Sequence, residues 1–275
     1  MKKHKGTEIS NRERREEIED NILAKAKPVA ETEDFLTCLF YGRSGTGKTT
    51  LASSFPKKIL LLDFRDRGID SIKDVKGIDV FNVQEWVEVE SIFWSLQKKP
   101  GLYKSIILDT LSGMQNLAIH EVKRNEGQDD SDNLSKRGWG TVSAMMNQWL
   151  LNFRDLPFHV VFLAPDRVRN IAVSEEEEAE LEEGELEPEV GPALIPSVAK
   201  SVNAAVKVIG NTFIKQTVTA DDSGNRVKKT QYRLRIGPHP YYITKIRSPK
   251  AFKIPQSINN PSFERIVKIM KGEKE

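Results

Sequence analysis

The chain of 275 residues is long enough to bury a substantial core, and its 38% hydrophobic and 30% charged residues are typical of a soluble globular protein. No apolar run approaches the ~18–20 residues that cross a bilayer, and the lysine-rich start lacks the apolar stretch of a secretory signal. The single cysteine, Cys38, excludes an intramolecular disulfide framework and a cysteine zinc cluster. We therefore expect a protein of a reducing compartment, the cytoplasm, with no membrane partner.

The formal net charge of +2 conceals a strong asymmetry along the chain. Residues 174–190 contain ten glutamates and no base, whereas residues 195–275 contain sixteen Lys or Arg against five Asp or Glu. An acidic run of this kind is typical of a solvated, mobile loop, and a basic segment suits a polyanionic partner. Residues 1–34 alternate in charge and hold few large apolar side chains, which indicates an arm outside a core of residues 35–275.

From Phe35 onward the chain alternates short apolar runs with helical patterns. Strands are predicted over 35–41, 58–64, 77–83, 105–109 and 158–164. Helices are predicted after the first strand and at three later places, 84–99, 111–125 and 139–156. The segment 126–138 is too rich in Asp, Gly and Ser to be regular structure and is expected to be a mobile loop. Strands that alternate with helices indicate a parallel sheet covered on both faces, which is the α/β class.

Beyond the acidic run the pattern changes to antiparallel strands. Residues 195–210 predict a helix that leads into a strand, and residues 211–237 alternate apolar and polar side chains around a turn, as a β-hairpin does. Residues 241–249 predict one further strand and residues 261–270 a closing helix. The expected fold is therefore a mostly parallel sheet flanked by helices and extended by C-terminal antiparallel strands.

The most informative motif is Gly42-Arg-Ser-Gly-Thr-Gly-Lys-Thr49, which fits the P-loop pattern G-x-x-x-x-G-K-[ST] between a predicted strand and a predicted helix. Its glycines let backbone N–H groups curl towards phosphate oxygens, and the dipole of the following helix adds to their attraction. Lys48 can reach the β- and γ-phosphates, and the Thr49 hydroxyl can bind Mg²⁺. The alternative is a glycine-rich turn without a ligand. The predicted site for ATP and Mg²⁺ comprises Gly42, Arg43, Ser44, Gly45, Thr46, Gly47, Lys48, Thr49 and Thr50.

A P-loop also needs carboxylates at the ends of neighbouring strands. Asp109 ends the fourth predicted strand and is the expected metal partner of Thr49, with Asp63, at the end of the second strand, as the alternative. Hydrolysis requires a group that orients the attacking water. Asp66 is the catalytic candidate for this role, and a charged surface turn is the other interpretation. Asp166, just after the fifth strand, indicates either a γ-phosphate sensor or a simple turn.

The order of these motifs resembles the phage-encoded P-loop ATPases that are compact relatives of the RecA recombinase core. The resemblance covers roughly residues 35–270 and includes GRSGTGKTTLA, LLLD, IILDTLSGM, VVFLA, PALIPSVAKSVNAAVKVIG and TKIRSPK. It implies a RecA-like core and an oligomeric ATPase, a ring or a filament, that acts with single-stranded DNA in phage recombination, annealing or replication. It also implies the host cytoplasm as the compartment and a phage or host single-strand-binding protein as a partner. Lys245 and Arg247 would then reach across a subunit interface to the neighbour's γ-phosphate.

The sequence departs from the RecA-type pattern at three points. Where that pattern has its catalytic Glu in a D-x-E arrangement, this chain has Asp63-Phe-Arg65, and the nearest carboxylate is Asp66. The acidic run occupies the place of a DNA-binding loop, where it would repel phosphates. The arm lacks a Phe-x-x-Ala polymerisation motif.

Basic and aromatic side chains alternate in the C-terminal part, which suits the phosphates and bases of a single strand. They are Lys200, Lys207, Lys228, Lys229, Arg233 and Arg235, with Tyr232, Tyr241 and Tyr242. A hairpin with a basic solvent face is the other interpretation. Two further functions remain open: a nucleotide-regulated binding module with little turnover, and a P-loop kinase for a small molecule. A kinase of that kind usually needs an arginine-rich lid, which the acidic run cannot supply.

Overall fold

The computed structural model describes residues 35–65, 68–171, 187–220, 226–249 and 253–273. The predicted arm, Asp66 and most of the acidic run therefore lie outside the described residues. Within the described part of the chain, no helix combines the length and the apolar character that a membrane crossing requires.

Five parallel strands form the first half of the sheet, as the sequence predicts. They are β1 (Thr37–Tyr41), β2 (Ile59–Asp63), β3 (Ile78–Asn82), β4 (Ser105–Asp109) and β5 (His159–Ala164). Four of them are buried along most or all of their length, which explains their nearly continuous apolar sequences. β3 is the exception, because it lies at the edge of the sheet and is largely exposed.

The second half of the sheet is antiparallel. It contains β8 (Val208–Ala220), β9 (Arg226–Arg235), β10 (Lys245–Ile246) and β11 (Ser257–Asn259). β8 lies parallel to β1 and pairs with β9 as the predicted hairpin, while the strand predicted over 241–249 is reduced to the two residues of β10. The described strands follow the order β11-β9-β8-β1-β5-β4-β2-β3, with β10 beside β8. The prediction of a mostly parallel sheet with a C-terminal antiparallel extension is confirmed.

Helices cover both faces of this sheet. They are α1 (Lys48–Ala52), α2 (Trp86–Lys98), α3 (Leu111–Asn125), α4 (Lys136–Arg154), α5 (Pro196–Ala205) and α6 (Phe263–Lys271), with a 3-10 helix over Gly68–Ile72. Leu39 and Tyr41 of β1 point into the core under α2 to α5, whereas Cys38 and Phe40 point into the core under α1 and α6. Burial raises the pKa of the Cys38 thiol, so this cysteine is an inert core residue.

Helix α4 begins three residues before its predicted start, which corrects the prediction for residues 136–138, whereas residues 126–135 contain no helix or strand, as predicted. Ser135 caps the helix, because its Oγ accepts the N–H of Gly138 at 3.0 Å. A serine at this position satisfies one of the N–H groups that lack a partner within the helix. The glycines and charges of this segment resemble a loop, so the sequence pattern did not reveal a helix start that one side-chain contact stabilises.

The acidic run ends inside a strand, which corrects the prediction of a loop that extends to residue 190. β6 (Asp166–Ile171) and β7 (Glu187–Pro192) form a separate two-stranded antiparallel sheet. Across this pair Arg169 lies opposite Glu189, and Val168 lies opposite Val190. Opposite charges and apolar pairs at such positions stabilise a ladder. Asp166 is accordingly the first residue of a strand and not part of a simple turn.

The packing of Phe55 under α6 generates a stability prediction. Phe55 is 1% exposed, and its ring centroid lies 4.9 Å from that of Phe263 and 6.2 Å from that of Phe40. Phe55→Ala leaves a cavity there and should lower the free energy of unfolding by about 3–5 kcal/mol in denaturant titrations. The control Phe81→Ala, at a side chain 40% exposed on the edge strand, should change it by less than about 1 kcal/mol. Equal losses in the two variants would contradict this packing.

Candidate functional site

The P-loop leaves the sheet at the carboxyl end of β1, between two neighbouring strands. Gly42 donates its N–H to the carbonyl of Ala164 at the end of β5, at 3.2 Å. A Cβ on Gly42 would lie 2.4 Å from the backbone oxygen of Thr212 in β8, so a larger residue does not fit. At the other end of the loop, Gly47 has φ +85° and is the N-cap of α1. This left-handed turn favours glycine and directs the first N–H groups of the helix into the loop.

Strand β8 also supports the P-loop through a buried hydrogen bond. The hydroxyls of Thr46 and Thr212 lie 2.7 Å apart, with 7% and 3% of the two residues exposed. Thr46 additionally donates to the carbonyl of Arg43 at 2.7 Å, which closes the curl of the loop on itself. The shape of the phosphate-binding loop therefore depends on the strand that begins the antiparallel hairpin.

The Lys48 ammonium lies inside the curl of the loop. Its Nζ donates to the carbonyls of Gly42 at 2.8 Å and Arg43 at 3.0 Å. An anion in the loop would meet this charge together with the N–H groups at the start of α1. The arrangement is suited to the β- and γ-phosphates of a nucleoside triphosphate.

Two buried aspartates meet at the same edge of the sheet, and one of them contacts the P-loop. Asp63 and Asp109 end β2 and β4 as register partners and are 4% and 3% exposed. Thr49 Oγ1 donates to Asp109 Oδ2 at 2.8 Å. The backbone of Gly68 lies against this pair, since a Cβ there would be 3.1 Å from the Asp109 carboxylate and 3.2 Å from the Thr49 hydroxyl. This geometry favours Asp109 over Asp63 as the partner of Thr49.

The donor atoms at this point fit Mg²⁺. A hydroxyl and a carboxylate are the hard oxygen ligands that this ion prefers, and Mg²⁺ commonly completes its shell with waters and substrate phosphates. The described residues contain no cluster of three or more His, Cys, Asp or Glu that could hold a metal alone. Thr49 and Asp109 would therefore hold the ion together with the phosphates of the nucleotide, whose negative charge it would neutralise.

The P-loop forms the floor of a cleft of about 590 Å³ that includes residues missed by the sequence analysis. Tyr232 of β9 lies over Gly47, with its Cδ1 3.2 Å from the position of a Cβ there. Asn260 and Pro261, in the turn between β11 and α6, also contribute to the wall. The sequence analysis assigned Tyr232 to single-stranded DNA together with its basic neighbours. Successive side chains of a strand point to opposite faces, so the sequence itself indicates that Tyr232 and Arg233 belong to different surfaces.

The opposite face of the β8–β9 hairpin combines basic and aromatic side chains. Residues that pair directly across an antiparallel ladder share a face, and the pairs Asn211–Arg235, Phe213–Arg233 and Thr217–Lys229 therefore do so. The Arg235 guanidinium lies 4.4 Å from the ring centroid of Phe213 and 3.8 Å from that of Tyr242. We call this surface the basic–aromatic face; it comprises Phe213, Lys215, Lys229, Arg233, Arg235 and Tyr242.

His239 adds no positive charge beside this face at neutral pH. His239 packs edge-on against Tyr242, with ring centroids 4.8 Å apart. Burial and the nearby Arg235 lower the pKa of His239 below its usual range. The ring is therefore neutral at pH 7, and arginine and lysine supply the charge of the basic–aromatic face.

The two basic residues expected to act on a neighbouring subunit have different surroundings. Lys245 Nζ donates to the carbonyls of Asn203 at 2.8 Å and Ala204 at 3.0 Å, and so caps the carboxyl end of α5 in its own chain. Partial burial and the charge of Arg247 lower the pKa of Lys245. Arg247 is exposed. The water-orienting candidate, Asp66, lies outside the described residues.

Tyr41 connects the end of the P-loop strand to the β6–β7 hairpin. Its hydroxyl lies 2.9 Å from each of the carbonyl oxygens of Val190 and Ile243, to which it can donate. Burial is the main cause of a raised Tyr41 pKa, so the hydroxyl stays protonated at neutral pH. Val190 belongs to β7, the strand in which the acidic run ends. Tyr41 therefore anchors β7 to the residue that directly precedes the P-loop.

This fold and this cleft define a P-loop nucleotide-binding protein of the α/β class. A family model described as an AAA domain matches residues 34–248, and the chain belongs to this family of AAA-type P-loop ATPases.

Matches to curated proteins are partial. The chain is 31% identical over 93 residues to the phosphoenolpyruvate carboxykinase (ATP) of Bacillus pumilus, which covers 34% of this chain and 16% of that enzyme. It is 28% identical over 118 residues to the enzyme of the same name from Emericella nidulans, covering 42% and 17% of the two chains. The chain thus spans about one sixth of the length of these relatives. A solved structure, the cytoplasmic domain of EssC, matches 78% of this chain and 38% of its own with 15% identity and a TM-score of 0.30.

The contact between Thr49 and Asp109 generates a prediction about the metal. Asp109→Asn should weaken Mg²⁺-dependent ATP hydrolysis by about 10- to 100-fold, because a neutral amide orients the metal and its waters poorly. Asp63→Asn is the matched control, since it makes the same change in a buried residue at the end of the neighbouring strand. Mg²⁺ titrations of both variants measure the effect. A large loss in Asp63→Asn with an unchanged Asp109→Asn would move the metal role to Asp63.

Proposed function

We propose that the protein is a Mg²⁺-dependent ATPase that assembles into a homo-oligomer, a ring or a filament, and acts with single-stranded DNA. The observation that carries the hydrolytic part is the hydrogen bond between Thr49 and Asp109 in the P-loop cleft. It joins the hydroxyl that follows the phosphate-binding lysine to a carboxylate from a separate strand, which is the ligand pair that Mg²⁺–ATP requires. In such a site the residues position the phosphates and neutralise the charge that develops during transfer.

The chain's own residues divide this work. Lys48 and the N–H groups at the start of α1 bind the phosphates, and Thr49 and Asp109 orient the metal. Asp66 is the proposed residue that orients the attacking water. Arg247, with Lys245, would supply positive charge to the γ-phosphate of a neighbouring subunit, and the exposed position of Arg247 supports this role.

The basic–aromatic face supports the single-stranded DNA part of the proposal. Its arginine and lysine side chains can neutralise phosphates, while aromatic rings beside them offer planes for bases. We place the protein in phage recombination, annealing or replication, in the host cytoplasm and beside a phage or host single-strand-binding protein, on the resemblance of its motifs alone.

Two neighbouring lysines allow a controlled test of the DNA contact. Lys229 lies on the basic–aromatic face and Lys228 on the opposite face of β9, and both are exposed. Lys229→Ala should weaken single-stranded DNA binding several-fold and lower the salt dependence of the binding constant by about 0.7 in the slope of log K against log salt. Lys228→Ala should leave both nearly unchanged, as fluorescence anisotropy at several salt concentrations would measure. Equal effects of the two substitutions would contradict a contact specific to this face.

The same preparations distinguish the competing functions. The ATPase predicts a phosphate release that single-stranded DNA increases. A nucleotide-regulated binding module predicts ATP binding with negligible turnover under all conditions, and a small-molecule kinase predicts turnover only with a phosphate acceptor. ADP formation and phosphate release, both measured with DNA, without DNA and with candidate acceptors, decide among them. A kinase forms ADP without releasing phosphate, because the phosphoryl group passes to the acceptor.

Mixed variants test the assembly. Lys48→Ala removes the phosphate contact of a subunit's own site, while Arg247→Ala removes the group that it would supply to its neighbour. Arg247→Ala alone should hydrolyse ATP at least about 10³-fold more slowly than wild type, because a finger of this kind is worth about 10³–10⁵ in rate. Lys48→Ala alone should lose turnover as well, because its site lacks the ammonium that binds the phosphates. A mixture should regain activity, since some interfaces then combine an intact P-loop with an intact Arg247.

Co-assembly of the mixture is the required control and can be followed by analytical ultracentrifugation. Two inactive variants that co-assemble and remain inactive would place the finger within one chain or remove it from the mechanism. The P-loop site would stand in either case.

A further inference from the structure

We propose that Tyr232, Asn260 and Pro261 form a subsite for the base of the bound nucleotide, and that this base is adenine. The inference deepens the nucleotide-binding part of the proposed function and rests on it. All three residues line the same cleft as Lys48 and Thr49, although they come from β9 and from the turn that follows β11.

The strand order fixes which end of the cleft receives the base. Asp109 ends β4, two strands from β1 on one side, and Tyr232 belongs to β9, two strands from β1 on the other side. At about 4.8 Å per strand, these strands lie about 10 Å from β1 in opposite directions. Thr49 and Asp109, which are joined by a hydrogen bond, would hold the metal ion and with it the γ-phosphate at the β4 end. A nucleotide that extends along the start of α1 therefore places its base at the β9 end.

The chemistry of that end suits a flat heteroaromatic group. Tyr232 is 45% exposed, and its ring is held against Gly47 at one edge. The pyrrolidine of Pro261 lines the same space and adds a second apolar surface. Stacking on an aromatic side chain is a general way to hold a nucleobase.

Asn260 offers the polar group that can distinguish adenine. An amide side chain can donate and accept at the same time, which matches N7 and the N6 amino group of adenine. The backbone at this position is fixed, because Asn260 donates its N–H to the carbonyl of Tyr232 at 2.8 Å and has φ +43°. Ser262, two residues further on, caps α6, so the turn leads directly into a packed helix.

The first experiment compares two ligands that share phosphates and differ in the base. Tyr232→Ala should weaken ATP binding by roughly five- to hundredfold, the range expected for one lost stacking contact. Its affinity for inorganic tripolyphosphate, measured by calorimetry with Mg²⁺, should stay within twofold of wild type. Tyr232→Phe should bind ATP like wild type, because the ring remains. Tyr241→Ala is the matched control, as the removal of a tyrosine 43% exposed outside this cleft should change neither affinity.

The second experiment tests base recognition. Asn260→Gly tolerates the same backbone conformation, with φ +43°, and removes the amide that would distinguish the bases. It should reduce the preference for ATP over GTP in competition binding by about tenfold or more, since one good pair of base contacts is worth roughly that much. Unchanged ATP affinity in Tyr232→Ala, or an equal loss for ATP and tripolyphosphate, would overturn the base subsite. A wild-type protein that binds neither ligand would instead overturn the nucleotide function itself.

Discussion

The site depends on the hydrogen bond between Thr49 and Asp109, which joins groups that follow two strands that are not neighbours in the sheet. β5 lies between β1, which leads into the P-loop, and β4, which ends at Asp109. The two side chains meet only because parallel strands present all their carboxyl ends at one edge of the sheet. Buried apolar residues along β1, β4 and β5 fix the register of that edge, with Leu39 opposite Phe162 and Leu108 opposite the same residue on the other side. A shift of one residue in any of these pairs would turn a core side chain towards a helix that has no space for it.

The antiparallel half of the sheet is equally necessary for the loop. Thr212 of β8 approaches Gly42 so closely that a side chain there would collide with its backbone, and its hydroxyl shares a hydrogen bond with Thr46. The P-loop is therefore enclosed by β5 on one side and β8 on the other. A long sequence separation lies between Thr46 and Thr212, yet their contact is among the most buried polar contacts of the site.

Much of this organisation could be predicted from the sequence, because it follows from local patterns. The five apolar runs became five parallel strands, the C-terminal alternation became a hairpin, and the P-loop motif and Asp109 lie in one cleft. These features depend on residues that are close in sequence or on strand ends that must share an edge. The sequence therefore specified the fold class and the phosphate end of the site.

The remaining features depend on contacts between distant segments, which periodicity does not encode. Tyr232 and Asn260 reach the cleft only through the pairing of β8, β9 and β11. β7 could not be recognised in its acidic sequence, because the pairing that stabilises it, with Arg169 of β6 opposite Glu189, joins residues that are distant in the sequence. The early start of α4 depends on a single serine hydroxyl, which a segment rich in polar residues does not distinguish from a turn.

Strand β9 places two kinds of chemistry on consecutive residues. Tyr232 faces the nucleotide cleft, while Arg233 faces the other way with Phe213. A point substitution in β9 can therefore alter the side chains at the cleft without altering those on the basic–aromatic face, and the reverse also holds. The insertion of one residue before Tyr232 would have a different effect, because it would exchange the faces of every preceding residue in the strand. An insertion or deletion in β9 would therefore disturb both the cleft and the basic–aromatic face, whereas a substitution of one side chain would disturb only one of them.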